Sequence, residues 1–135
     1  MKAQALFQII TWDEAPYQDV SKSQKLAKAS VVFKLEGEIS GTGKVEYQLF
    51  YHEFNVEDPL NSNAEYQGMF FFEGEVNGKK GSFVMIEKGL FHKGEADSSL
   101  KIIPNSGTGE LEGILGQGDY RASHGTSNLS LDYEL

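Results

Sequence analysis

The chain has no cysteine, only three prolines, no apolar run long enough to span a bilayer and no excess of basic residues. Each shortage removes a class of protein. Without cysteine there are no disulfides, thiolate metal sites or cysteine nucleophiles. The opening residues, MKAQALFQIITWDE, carry one lysine and no long apolar stretch, so they match neither a signal peptide nor an anchor. No membrane partner is expected, and a cytoplasmic location is the default. Asn128-Leu129-Ser130 has the form of a glycosylation sequon, which without a secretory signal reads as chance. The net charge is -8, and the one basic cluster, Lys22, Lys25 and Lys28, is small. A nucleic-acid partner needs a broad basic footprint and is therefore not expected. Acidity of this size favours solubility.

Helical periodicity is also nearly missing. What is present is alternation with a period of two, the mark of strands with one buried face. Ala27, Ala29, Val31, Phe33, Leu35, Gly37 and Ile39 share one face, while Lys28, Ser30, Lys34, Glu36 and Glu38 share the other. Val45, Tyr47, Leu49 and Tyr51 repeat the pattern, as do Leu129, Leu131, Tyr133 and Leu135. The 135 residues suit a single domain, 1–135. Within it the alternation predicts about eight strands, near 3–12, 27–39, 44–54, 65–76, 79–91, 94–103, 108–116 and 127–134. Longer loops are expected at about 14–25 and 55–63, where Pro, Asn, Ser and charge gather. Short meandering strands in one small domain hide their edges best by closing, so the fold class is all-β, a single antiparallel β-barrel.

Two hairpins can be registered. Asn77-Gly78 is the pair favoured by a type I′ turn, which needs φ > 0 at both positions. A two-residue loop there pairs Val76 with Lys79, Glu75 with Lys80, Phe72 with Phe83, Phe70 with Met85 and Gly68 with Glu87. For the second, Gly41-Thr42-Gly43 taken as a three-residue loop would face Ile39 with Val45, Gly37 with Tyr47, Leu35 with Leu49 and Phe33 with Tyr51. The glycine-rich stretch IIPNSGTGELEGILGQGDY, 102–120, is not a phosphate cradle. After Gly107 and Gly109 the third glycine of a dinucleotide fingerprint comes one place late. Asp119 stands where a phosphate-binding loop needs lysine, and no helix follows. The SGTG at 106–109 is expected to be a turn.

The chemical inventory is sparse. His52, His92 and His124 do not stand at metal-ligand spacing, and there is no G-x-S-x-G, so neither a metal nor a cofactor nor a hydrolase triad is implied. His52 and His92 read as surface residues; His124, in RASHGTS, is a candidate at a barrel mouth. Asp13 and Glu14 are adjacent, so in extended chain they point to opposite sides and do not form an acid–base pair. Trp12, Pro16 and Tyr17 in WDEAPY read as a packed rim. Glu87 stands apart: a carboxyl on the apolar face shared by Tyr66, Phe70, Phe72, Phe83 and Met85, opposite Gly68. These residues with Tyr47 and His124 form the expected ligand-binding set around one interior cavity. Buried without a basic partner, Glu87 would hold its proton above the ordinary carboxyl range.

The outward face of the same hairpin carries Met69, Phe71, Val84 and Ile86. Apolar residues on both faces of a strand pair predict that both are covered, here in a homo-oligomer, a dimer before a trimer.

WDE, GTGKVEY, NGKKGSFVM, PNSGTGELEGILGQG, SHG and the terminal LDYEL follow one another over nearly the whole chain. In that order they resemble a family of small bacterial proteins of unknown function whose fold is similar to the allene oxide cyclase barrel. The resemblance implies a barrel; by analogy alone it suggests an apolar ligand or a cyclisation. His124 and Tyr133 match the family pattern. The family commonly has an acidic or polar residue at the place of Phe70 and histidine at that of Glu87, so this chain's inner face departs from it there. Three functions stay open: binding of a small apolar or amphipathic molecule in the barrel, an isomerase or cyclase using Glu87, His124 or Tyr47, and a structural or stress-related oligomer without a ligand.

Overall fold

The computed structural model describes residues 1–123 and 126–135. Eight antiparallel strands follow in chain order: β1 (Lys2–Asp19), β2 (Lys25–Gly37), β3 (Ile39–Glu53), β4 (Asn63–Val76), β5 (Lys79–His92), β6 (Glu95–Ile102), β7 (Leu115–Ser123) and β8 (Thr126–Glu134). Each strand pairs with the next, and β8 pairs with β1, so the sheet closes into a barrel. Pro59–Asn61 and Gly109–Leu111 form single 3-10 turns. Among the described residues no helix is long and apolar enough to cross a membrane.

The β4–β5 hairpin has the register that Asn77-Gly78 predicts, from Val76↔Lys79 through Gly68↔Glu87. Both turn residues take the left-handed conformation, Asn77 at φ 47° and Gly78 at φ 83°. The β2–β3 hairpin corrects the expectation. Leu35 pairs with Gly41, Phe33 with Gly43, Val31 with Val45 and Ala29 with Tyr47, so the chain reverses around Glu38. Gly41 and Gly43 lie within β3 and are not a turn. A shift of an even number of residues keeps every side chain on its own face, so alternation alone does not separate the two registers. Packing separates them: the ring of Phe70 lies where a Cβ on Gly43 would be, 2.3 Å from that position.

Two further expectations change. β1 continues through the segment expected to be a loop, as far as Asp19, and Pro16 sits opposite Ala27. β1 pairs with β8 only over Lys2–Leu6. Beyond Leu6 its second edge has no partner among the described residues, so a proline there costs no ladder bond. A bulge between Ile9 and Thr11 also switches its inward face. Ala3, Ala5 and Phe7 point inward before the bulge, whereas Trp12 and Glu14 take the inward register positions opposite Val31 and Ala29 after it.

The expected strand at 108–116 is instead a plug. Residues 103–114 run beside β5 where β6 has not begun: Ile103 N–H donates to Val84 O at 2.9 Å, and Thr108 N–H donates to Ser82 O at 2.8 Å. The segment thereby satisfies β5's backbone and turns Leu111 and Ile114 into the barrel end, both wholly buried. The true seventh strand lies one segment later. Inside this end Phe33 stacks on Phe70 at 5.7 Å between ring centres, and Phe72 meets Phe83 at 5.0 Å. This half of the barrel is packed with side chains. Leu111→Ala is expected to destabilise the protein by about 2–4 kcal/mol, because the plug cannot collapse onto the space it leaves. Urea unfolding measures this, and a loss below about 1 kcal/mol would show that the plug is not part of the core.

Candidate functional site

At the waist of the barrel, above the packed half, lies the carboxyl group of Glu87, with no exposure to solvent. Tyr47 Oη donates to its Oε1 at 2.7 Å, and Tyr120 Oη donates to Oε2. The two phenol oxygens are 3.5 Å apart. Beside them Tyr66 Oη bonds Ser98 Oγ, and Ser98 is also buried. Glycines make this layer possible. The ring of Tyr66 lies over Gly89, where a Cβ would fall 2.3 Å from Cζ, and a Cβ on Gly68 would meet the Glu46 carbonyl at 2.4 Å and the Tyr47 ring at 3.1 Å. Among the described residues no buried side-chain polar atom lacks a partner.

Burial is the chief cause that raises the Glu87 carboxyl above its ordinary range, partly offset by the hydroxyls of Tyr120, Tyr47 and Ser98. Burial likewise pushes Tyr47 and Tyr120 well above the usual phenol value. Tyr66 is raised to about 12, again chiefly by burial. None of these groups has a cationic partner within salt-bridge distance among the described residues.

Above this layer the barrel is open. A cavity of about 890 Å³ has Tyr47, Tyr66 and Tyr120 at its inner end and Phe7, Phe33, Leu49, Ala64 and Phe91 in its walls. Trp12, Glu14, Tyr51 and Phe54 also line it, and exposed Ile9 and Leu60 mark where it meets solvent. Its side passes between β1 and the β7–β8 end, at Ile9, Ser123 and Ser127. That gap exists because β8 stops pairing with β1 at Leu6. Trp12 stacks on Tyr47, 6.1 Å between ring centres.

The structure divides the residues expected to form the site. Tyr47 and Tyr66 line the cavity, and Glu87 stands directly behind Tyr47 and Tyr120. Phe70, Phe72, Phe83 and Met85 are buried in the packed half and do not line it. His124 lies outside the described residues. Tyr133 is a structural group: its hydroxyl accepts from Asn77 Nδ2 at 2.7 Å, tying the β4–β5 turn to β8. Sequence reasoning missed Tyr120, whose strand was placed too early, and it missed Trp12 and Glu14, whose inward turn depends on the bulge. The signal for Tyr120 was an isolated aromatic in GQGDYRA, alternating with glycine at 116 and 118.

Elsewhere the surface is ordinary. His52 contacts Glu65 at 2.5 Å and His92 bonds Asn63, both exposed. No cluster of three potential metal ligands occurs among the described residues. On the outer wall, Met69, Phe71 and Ile86 are 61, 39 and 41 % exposed. A shallow depression of about 790 Å³ also lies outside, crossed by Gln48, Gln67, Lys88, Ser99 and Asp119. Its floor reaches Tyr66 and Ser98, but only the inner cavity is lined by both phenols that bond Glu87, Tyr47 and Tyr120, so the inner cavity is the candidate site.

Fold and site together define a small closed antiparallel barrel with one packed half and one hollow, aromatic-lined half. The chain belongs to the family described as Protein of unknown function (DUF3224), which matches residues 3–133. It is similar to the crystal structure of a protein of unknown function from that family from Shewanella oneidensis MR-1, with a TM-score of 0.75 and 20% sequence identity, covering 100% of this chain and 96% of that one. At that identity the likeness shows the fold. No curated protein matches the chain.

The raised Glu87 carboxyl fixes a sign. The folded protein holds this proton more tightly than the unfolded chain. The group therefore favours folding fully below the unfolded value of about 4.3, and that contribution is lost as pH rises through the folded value. Glu87→Gln is expected to be more stable than the parent at neutral pH, by on the order of 1 kcal/mol or more, with the gap closing toward pH ~4. Melting curves across that range test it; a gap independent of pH would show that Glu87 titrates as an ordinary surface carboxyl.

Proposed function

We propose that the protein binds one small, largely apolar molecule bearing a polar group in the hollow half of the barrel. The cavity of about 890 Å³ carries this reading, because apolar walls end in three tyrosines, two of which bond the buried carboxyl. Small-molecule sites commonly have this size, roughly 300–1,000 Å³, and this mixture of apolar wall and few polar handles. The bound molecule's polar group would meet the inner tyrosines, and its apolar body would lie along Phe7, Leu49 and Phe91.

A second reading, an isomerase or cyclase, is favoured by one observation. Glu87 is an acid held out of water whose two phenol partners face the cavity. A protonated Glu87 could exchange its proton with a bound molecule through Tyr47 or Tyr120. An allene oxide cyclase-like barrel would suit that chemistry, by analogy of fold. Turnover lost in Glu87→Gln, with binding retained, marks this second case.

The protein has a single tryptophan, Trp12, and it lies at the cavity mouth. Nile red, a neutral apolar dye, is expected to bind with one-to-one stoichiometry and to change Trp12 fluorescence. Ala122→Trp fills the cavity wall and should weaken the dye about tenfold or more while leaving the β-type circular dichroism intact. Dye binding that is indifferent to Ala122→Trp would place it outside the barrel and remove the proposal.

The outward block of Met69, Phe71, Val84 and Ile86 supports a dimer as part of the same reading. Phe71→Asp is expected to reduce the particle mass in light scattering to that of one chain. A parent protein that already scatters as a monomer would dismiss the dimer.

A further inference from the structure

Resting on the proposed cavity site, one feature narrows the class of molecule it takes. The described residues lining the cavity include no lysine, arginine or histidine, and one acid, Glu14. That carboxylate is fixed: Tyr51 Oη donates to its Oε2 at 2.6 Å, and Trp12 Nε1 donates to Oε1 at 3.1 Å. It is half-buried and stands between two aromatic rings at the mouth. Phe54 packs edge-on against Tyr51, 5.1 Å between centres. Three aromatic faces and one oriented carboxylate are the elements of an ammonium-binding cage.

Two of these rings, Tyr51 and Phe54, already hold a cation. Lys25 Nζ sits 3.4 Å from the centre of Phe54 and 5.2 Å from that of Tyr51. Lys25 is not one of the residues lining the cavity. It shows that Tyr51 and Phe54 accept an ammonium, and it is also a nearby group that could attract an anion. For a carboxylate entering the cavity the balance is unfavourable. It would give up water, find no cation on the described walls and meet Glu14. An ammonium would exchange its water for ring faces and a carboxylate already positioned. The net charge of -8 adds a field of the same sign preference.

We infer that the cavity mouth, built from Trp12, Glu14, Tyr51 and Phe54, recognises an organic ammonium group, so that the bound molecule is an amphipathic amine or quaternary ammonium compound. Its apolar body extends inward along the barrel walls, and its cation stays at the mouth. The inner tyrosines then meet the far end of the molecule, where only a neutral polar group fits beside Glu87.

Three probes of equal chain length test this: octyltrimethylammonium, octan-1-ol and octanoate, each titrated at neutral pH with Trp12 fluorescence and calorimetry. The ammonium is expected to bind about tenfold or more tighter than octanoate, with octanol between them. Glu14→Gln should narrow the gap between ammonium and octanol, and added salt should narrow it in the parent protein. Equal binding of all three overturns the ammonium inference and leaves the cavity site standing. Tightest binding by octanoate, lost in Lys25→Met, overturns it in favour of an anion held by Lys25. Failure of all three to bind by either readout removes the cavity reading itself, and the ammonium inference with it.

Discussion

A carboxyl group sealed from water at the waist of a barrel dictates much of what surrounds it. Glu87 cannot be buried without partners, because an unpaired buried carboxyl carries a large desolvation cost. Its partners are the hydroxyls of Tyr47 and Tyr120, reaching in from β3 and β7. Those rings can reach it only by lying along the inner wall. Beside them, Tyr66 lies where a side chain on Gly89 would otherwise be, and Gly68 leaves room for the backbone carbonyl of Glu46 and the edge of Tyr47. One acid on β5 thus ties together β3 and β7, which supply its hydroxyl partners. The polar layer that results is also the boundary between the packed and hollow halves.

Below that layer the design is conventional. Aromatic and aliphatic side chains interdigitate, and the 103–114 segment closes the end with Leu111 and Ile114. Above it, the barrel is closed on one side only in part. β1 leaves its pairing with β8 at Leu6 and continues to Asp19 on β2 alone. The aperture and the aromatic mouth are products of that early parting together with the bulge after Ile9, which turns Trp12 and Glu14 toward the inside.

What could be read from the sequence follows from which physical signals are local. The β4–β5 hairpin was legible to the residue because Asn77-Gly78 both marks the turn and sets the register. The identity of the inner face was legible almost everywhere, since period-two alternation survives any even slip. The slip itself was not: placing the β2–β3 turn at Gly41–Gly43 matched apolar partners as well as the true register does. Close approaches from a third strand, the ring of Phe70 over Gly43 and the Glu73 backbone against Gly41, distinguish them. β7 was hidden because its inner positions are small, glycine at 116 and 118 and alanine at 122, with Tyr120 the one large residue. The site was half legible for the same reasons. Glu87, Tyr47 and Tyr66 sit on strands with clear faces, whereas Glu14 and Trp12 change sides at a bulge that leaves no mark in composition.

The separation of the barrel into two halves has a consequence for how such a protein can change over time. The residues packed in the closed half, Phe70, Phe72, Phe83 and Leu111, are not those that line the open cavity. Positions such as Trp12, Glu14, Phe54 and Leu60 border open space, where a new side chain can extend into solvent. Under the proposed function, a lineage could exchange one ligand for another by rewriting the rim, while the barrel beneath is inherited unaltered.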